Sequence, residues 1–344
     1  MDEMKNITIY DIAREAGVSP ATVSRILTGS ANVRTEKKER VEELIRKYQF
    51  KPNAMARALT DTRTHFIGMV VADVSNPYYH SLFTACINAA SRLGYSLLLF
   101  NTLSNSRMEE QAVTYLLEHR VDAMIISGGR IDLAQQDPDF LRLLESTARK
   151  TPVVVAGRSP LDMIPGVAAD HERSMDLAIR HLVRHGHRKI GFVYTGKQFY
   201  GTREKLLRFE ADMAEAGLEI RKEWLIEVPG YDMRSGSIGA DLMSDMKELP
   251  TAMLGINDLV SVGFQKRLAE HGIRVPEDIS LLSFDDTYIT SMTTPAISSV
   301  DYDYDQFADT LVRTAINLSE GGPAVHQVLI TPHLNLKESC RRID

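Results

Sequence analysis

Two groups of side chains have the residue types for catalysis or metal binding. Asp285 and Asp286 end an apolar run, and paired carboxylates can act as general acid and base. His181, His185 and His187 lie close together, but no cysteine or carboxylate stands at metal-site spacing beside them. One strand-end aspartate facing a pocket, with its neighbour facing away, accounts for the acidic pair without catalysis. We therefore expect no enzyme activity, no metal and no cofactor.

Contact with nucleic acid is indicated near the N-terminus. Ser19, Thr22 and Ser24 carry short hydroxyl side chains that can approach phosphates. Arg25 is long enough to reach a guanine edge. Small polar residues and one long cation on a single helix are typical of a helix that reads DNA.

These side chains need short helices to position them, and the sequence predicts such helices. Thr8 followed by Asp11 has the form of a capping box that begins a helix. Gly17 suits the left-handed position that ends it, and Ser19 and Pro20 begin the next helix. A helix, a short turn with glycine and a second helix form a helix-turn-helix. A helical corner without a DNA role has the same pattern, so this alternative stays open at this point.

The distribution of charge is uneven along the 344 residues, whose net charge is −6. Residues 1–64 hold 12 Lys and Arg against 9 Asp and Glu, so a basic head precedes an acidic body. Only two cysteines occur, Cys86 and Cys340, far apart in the chain; this is no disulfide framework, and it fits a reducing cytoplasm. Neither a signal peptide nor an apolar run long enough for a membrane span is present. We expect a cytoplasmic protein with no membrane partner.

Beyond residue 64 the pattern changes to strands that alternate with helices. Near-continuous apolar strands between helices predict parallel sheets covered on both faces, in an α/β fold with two sheets. Ligands in such folds bind at the carboxyl ends of the strands, here between the two halves. The predicted strands lie at 66–71, 96–100, 123–127, 152–156, 167–170, 189–194, 252–256 and 279–284.

The sequence resembles the lactose/galactose repressor family of bacterial transcription regulators. Residues 8–27 read TIYDIAREAGVSPATVSRIL, and the match to that family's headpiece continues to Leu59. Shorter matches follow at Ser75-Asn76-Pro77-Tyr78-Tyr79, Gly186-His187-Arg188-Lys189-Ile190 and Ser283-Phe284-Asp285-Asp286. The resemblance implies an all-α headpiece at 1–50 and a hinge helix with linker at 51–63. It also implies a two-lobed effector and dimerisation domain at 64–344, similar to periplasmic binding proteins.

The family's helix-turn-helix lies in the major groove of an operator bound by a two-fold dimer. By this resemblance Pro20, Ala21 and Arg25 would contact bases, and Pro20 and Ala21 would do so by apolar contact, for instance with a thymine methyl. Leu59 matches the hinge residue that enters the minor groove as a wedge, although an ordinary linker leucine is the alternative. The full set of expected DNA contacts is Thr8, Ser19, Pro20, Ala21, Thr22, Ser24, Arg25, Asn53, Arg57 and Leu59.

The resemblance also assigns an effector site. Asn257 and Asp285 would bond ligand hydroxyls and Tyr231 would supply an aromatic wall. The expected effector-binding residues are Tyr78, Tyr79, Arg158, Arg203, Lys205, Tyr231, Asn257, Asp285 and Tyr302, with Tyr304 also near the second lobe.

Two departures from the family pattern bear on the ligand. Lys205 stands where the family often has arginine, so Lys205 or the nearby Arg203 would carry that contact. Gly157 and Arg158 follow a strand that commonly ends in aspartate. A pocket with arginine in place of a carboxylate would accept an acidic or phosphorylated ligand, which is a second hypothesis for this site.

Together these features predict a repressor of a carbohydrate-utilisation operon. A small sugar-like inducer would release the homodimer from a pseudo-palindromic operator in double-stranded DNA. Corepression, and a non-sugar or phosphorylated ligand, are alternatives within the same family. A solute-binding module of a transport system would share the body, but it would need a signal peptide and lack the headpiece.

Overall fold

The computed structural model of the chain describes residues 7–27, 34–48, 50 and 63–343. The chain divides into two compact units, Met1–Thr64 and His65–Asp344. The predicted hinge at 51–63 lies outside the described residues except for Arg63. The predicted DNA contacts Asn53, Arg57 and Leu59 therefore fall outside the described residues as well.

The first unit contains α1 (Ile9–Ala16), α2 (Pro20–Leu27) and α3 (Thr35–Lys47). Thr8 caps α1, because its hydroxyl accepts from the Asp11 N–H at 3.4 Å. The Asp11 carboxylate accepts in return from the Thr8 N–H at 3.0 Å, which completes the predicted capping box. Gly17 ends α1 at φ +68°, a left-handed conformation that side chains with a Cβ rarely adopt.

The second unit begins with a parallel sheet, which defines the first lobe. Its strands are β1 (Phe66–Val71), β2 (Ser96–Asn101), β3 (Ala123–Ser127), β4 (Val153–Ala156) and β5 (Gly166–Ala169). The helices between them are α4 (Pro77–Arg92), α5 (Ser106–Glu118) and α6 (Pro138–Ala148). The spatial order is β5-β4-β3-β1-β2, with all pairs parallel.

A second lobe repeats this arrangement. It contains α7 (His171–Arg184), β6 (Ile190–Tyr194), α8 (Tyr200–Glu215), β7 (Leu225–Glu227), α9 (Met233–Ser244), β8 (Ala252–Gly255), α10 (Asp258–Glu270), β9 (Ser280–Asp285) and β10 (Ser298–Asp301). The spatial order is β10-β9-β8-β6-β7, again parallel.

The chain then returns once to each lobe. Helix α11 (Tyr304–Ser319) packs into the core of the first lobe, and β11 (Gln327–Ile330) pairs with β5 in parallel. Strand β12 (His333–Asn335) pairs with β10 in the antiparallel direction. The chain thus crosses between the lobes after β5, after β10 and after β11, so three segments join them.

The two parallel sheets confirm the fold that the sequence predicts. Strands β7 and β10 to β12 were not predicted. Each of these strands has only three or four residues, and several of their positions are polar. Among the described helices, none combines the length and apolar character needed to cross a membrane.

Candidate DNA interface and effector cavity

Helix α2 has one buried face and one exposed face. Val23 is fully buried, where it packs with Ile12 of α1 and Val41 of α3. Ala21 and Arg25 lie on the exposed face. Because the buried contact fixes how α2 is rotated about its axis, Ala21 and Arg25, two of the three predicted base-contacting residues, stay together on an exposed surface.

The start of α2 carries the predicted backbone contacts. Ser19 caps the helix, since its Oγ accepts from the Thr22 N–H at 3.2 Å and lies 2.9 Å from the Thr22 hydroxyl. No acidic residue occupies the first turn of α2. A helix N-terminus of this kind has a partial positive charge that favours a phosphate group. Pro20 and Ser24 are partly buried on the same helix.

A cavity of about 410 Å³ lies between the two lobes of the second unit. Residues that follow the carboxyl ends of strands in both sheets form its walls, as expected for ligand sites in parallel sheets. The structure brings most of the predicted effector residues together here. Those that line the cavity are Tyr78, Tyr79, Arg158, Lys205, Tyr231, Asn257, Asp285 and Tyr302.

Arg203 does not line this cavity. It is exposed and borders a separate surface depression beside Gln198. Residues two positions apart on a helix point to different sides, so only Lys205 of this pair faces the cavity. Tyr304 also lies outside the cavity lining and packs against the Tyr78 ring, with the centroids 5.9 Å apart.

Asp285 ends β9 with its carboxyl group in the cavity. Its backbone has φ +97°, an uncommon conformation for a residue with a side chain. The side chain is 8% exposed and makes no hydrogen bond or ion pair with any described residue. Burial raises the pKa of Asp285 and the charge of Lys205 opposes that rise. The neighbouring Asp286 faces away and bonds Lys337 and Asn335.

Lys205 is the buried cation of the cavity. Its ammonium nitrogen lies 4.5 Å from the ring centroid of Phe284 and 5.7 Å from that of Tyr302. Burial lowers the pKa of Lys205 to about 8, while Asp285 and Asp258 act to raise it. The ammonium group is therefore held by aromatic faces and by the field of nearby carboxyl groups.

Asn257 and Tyr231 build one wall together. The Asn257 side chain caps α10 by accepting from the Val260 N–H at 2.9 Å, and its amide donates to the Tyr231 carbonyl at 3.1 Å. The Tyr231 hydroxyl lies 2.8 Å from the Thr202 hydroxyl. These bonds fix the orientation of the Tyr231 ring at the cavity.

Tyr78 and Tyr79 form the opposite wall. Their rings meet edge to face with centroids 5.1 Å apart. Burial raises the pKa of both phenols, so both stay protonated and can donate a hydrogen bond. Gly128 has φ +78°, and a Cβ at this position would lie 2.2 Å from the Tyr79 hydroxyl oxygen. Glycine at 128 thus makes room for the Tyr79 ring.

The residues that line the cavity without having been predicted from the sequence include the ionisable side chains Asp132, His171 and Glu204. Burial, reinforced by Glu109, raises the pKa of Asp132 to about 7. The Asp132 side chain makes no hydrogen bond or ion pair with any described residue. Their positions just after strand β3 and strand β5 could have indicated Asp132 and His171. Nothing in the sequence distinguishes Glu204 from other helix glutamates.

Asp258 supports the cavity from behind. Its buried carboxylate accepts from the Ser283 hydroxyl at 2.7 Å and the Ser299 hydroxyl at 3.1 Å. The other oxygen accepts from the Thr287 N–H at 2.6 Å and the Thr287 hydroxyl at 2.8 Å. Asp258 thereby ties α10 to β9, to β10 and to the segment that follows Asp285.

The two units define a class of protein. One presents a helix-turn-helix with an exposed reading face, and the other encloses a polar and aromatic cavity between two lobes. A DNA-binding unit joined to a ligand-binding unit is the organisation of a ligand-responsive transcription regulator.

Comparisons with known proteins agree with this class. Residues 8–53 match the model for bacterial regulatory proteins of the lacI family, and residues 179–340 match that for a periplasmic binding protein-like domain. Catabolite control protein A of Priestia megaterium is 30% identical over 86% of this chain and 87% of its own. The transcriptional repressor PurR of Haemophilus influenzae strain PittEE is 30% identical over 98% and 99%.

A crystal structure of the lac repressor dimer bound to operator and the anti-inducer ONPF is similar throughout. The TM-score is 0.86 at 26% identity, and the match covers 98% of this chain and 100% of that one. The chain belongs to the lacI family of bacterial regulatory proteins. It is a DNA-binding transcription regulator.

Proposed function

We propose that this regulator represses a carbohydrate-utilisation operon and leaves its operator when a small sugar-like inducer binds between the lobes. The observation that carries the proposal is the pair of cavity carboxyl groups, Asp132 and Asp285, that have no partner among the described residues. Buried polar groups are normally hydrogen-bonded, so two such groups facing a cavity favour a ligand that supplies donors.

The rest of the cavity suits the same ligand. A carboxyl group accepts hydrogen bonds from ligand hydroxyls, and the ring faces of Tyr78, Tyr79 and Tyr231 can pack on the apolar face of a sugar. A volume of about 410 Å³ lies within the range of small-molecule sites. The alternative is corepression, in which the same kind of ligand strengthens operator binding instead of weakening it.

The DNA side of the proposal follows the family organisation. The headpiece at 1–50, the hinge at 51–63 and the effector domain at 64–344 act together in a homodimer on a pseudo-palindromic operator. The dimeric state of the operator-bound lac repressor supports this part. Inducer closes the lobes, shifts the dimer interface and melts the hinge helices. We expect a coupling free energy between the two sites of about 1–3 kcal/mol.

A thermal-shift screen of the full chain tests the effector. The panel holds mono- and disaccharides, sugar phosphates, sugar acids, nucleosides and purines. A ligand at about a hundredfold over its Kd adds roughly 2.7 kcal/mol, so the melting temperature should rise by several degrees. Adding the hit to an operator-binding assay then gives the sign of regulation. If no neutral sugar shifts the melting temperature while a nucleoside or purine does, the sugar assignment is wrong.

Arg25→Ala tests the reading face of α2. We expect operator binding to weaken by about 1–3 kcal/mol and preference at one operator position to relax. Arg46→Ala is the matched control, because it removes an equal charge from α3. That control should weaken binding to all sequences alike. A selection of bound sequences from a random library measures both effects, and unchanged preference in Arg25→Ala would remove Arg25 from the reading set.

A further inference from the structure

The cavity contains more acidic than basic side chains. Its cationic residues are Arg158 near the rim and the buried Lys205, because burial lowers the pKa of the lining residue His171 and keeps its imidazole neutral. Two acidic residues of the cavity, Asp73 and Asp232, already have hydrogen-bond partners, because their carboxylates accept from the N–H groups of Ser75 and Ser235. The acidic residues are Asp73, Asp132, Glu204, Asp232 and Asp285. Arg158 and Lys205 are therefore the cationic side chains of the cavity that could balance the charge of an anionic ligand.

Arg158 is already paired within the protein. Its Nη2 lies 2.5 Å from Oε1 of Glu204, a side chain that is only 11% exposed. The guanidinium carbon also lies 4.9 Å from the ring centroid of Tyr200. Arg158 follows β4 of the first lobe, while Glu204 and Tyr200 belong to α8 of the second lobe. The pair therefore spans the cleft at the cavity.

Lys205 is the second cation of the cavity, and its ammonium group donates to the Ile256 carbonyl at 3.5 Å. Its ammonium group lies against aromatic rings, in the field of Asp285 and Asp258. A phosphate group that reached Lys205 would come close to the Asp285 carboxyl group.

We propose that Glu204 makes the cavity select neutral ligands over anionic ones. Its carboxylate contacts Nη2 of Arg158 and so places a negative charge beside the guanidinium that a phosphate would approach, which repels the phosphate. A neutral hydroxylated ligand meets no such repulsion. Specificity of this kind comes from an unfavourable contact with the wrong ligand. The inference rests on the proposed function, because it applies only if the cavity is the effector site.

Glu204→Gln tests the inference by a gain of binding. The amide keeps the size of the side chain and releases the charge of Arg158. We expect inorganic phosphate and glucose 6-phosphate to bind at least about tenfold more tightly than to the original chain, because a hydrogen bond to a charged group is gained. Thermal shift and calorimetry of the full chain, at ionic strength matched with KCl, measure the affinity.

Two further variants separate the cavity from other anion sites. Glu210→Gln removes an exposed carboxylate from the same helix and should show no gain. Glu204→Gln combined with Arg158→Ala should lose the gain, because the released guanidinium is then absent. If Glu204→Gln does not fold, Glu204→Ala serves in its place.

The outcomes also separate this inference from the proposed function. Phosphate binding that appears with Glu204→Gln and disappears in the double variant supports the selection by Glu204. Equal phosphate affinity in the original chain and the folded variant overturns it, whether both bind or neither binds. Failure of every neutral sugar to bind the original chain contradicts the proposed function instead.

Discussion

Asp285→Asn is expected to weaken binding of the effector by about 10-fold, the equivalent of ~1.4 kcal/mol, because a hydrogen bond to the carboxyl group is lost. The Asp285 carboxyl group faces the cavity without a partner among the described residues, so a bound ligand gains its acceptor oxygens. Asparagine keeps one acceptor and replaces the other by a donor. Calorimetric titration with the ligand found by the screen measures the loss.

The substitution should leave the fold intact. Asparagine tolerates the left-handed region that φ +97° requires, so the backbone of Asp285 keeps its conformation. Asp286→Asn is the matched control on the next residue, because that carboxylate bonds Lys337 and Asn335. We expect the control to lower the melting temperature and leave ligand affinity unchanged. Equal affinity losses in both variants would mean that Asp285 acts through the fold.

Most strands of the two sheets could be predicted from the sequence because they are buried on both faces, although the edge strand β2 is only partly buried. β3 and β4 are apolar or small throughout, and short apolar runs between helices are typical of strands in a covered parallel sheet. The return of the chain to each lobe could not be predicted. Strand β12 has only three residues, exposed at both ends, and its place is set by pairing with β10.

The site was predictable in part for the same reason. Strand-end residues such as Asn257 and Asp285 follow clear apolar runs, so their place at the cavity follows from the strands. Glu204 instead faces the cavity because of how α8 is oriented about its axis, and its carboxylate contacts Arg158 of the other lobe. A contact between residues of two lobes depends on how the lobes pack, and one sequence carries no local sign of it.

Asp258→Ala is expected to give the largest loss of stability, about 2–4 kcal/mol, because buried donors would lose their acceptor. The Thr287 N–H would be left without an acceptor, because a backbone donor cannot turn toward another acceptor. The hydroxyls of Ser283 and Ser299 can turn in this way. Thr287 lies two residues after Asp285, so effector affinity should fall as well. Thermal unfolding of the full chain should show a melting temperature lower by several degrees.

Asp258→Asn separates the hydrogen bonds from the charge. Burial raises the pKa of Asp258 to about 6, so a neutral side chain costs less to bury at this position. The amide oxygen can still accept from the Thr287 N–H while the serine hydroxyls turn to accept from the amide. We therefore expect Asn to restore more than half of the stability lost with Ala. Asp245→Asn, at an exposed helix end, should change stability by less than about 0.5 kcal/mol. An Asn variant as unstable as the Ala variant would show that the charge itself holds α10 to the segment after β9.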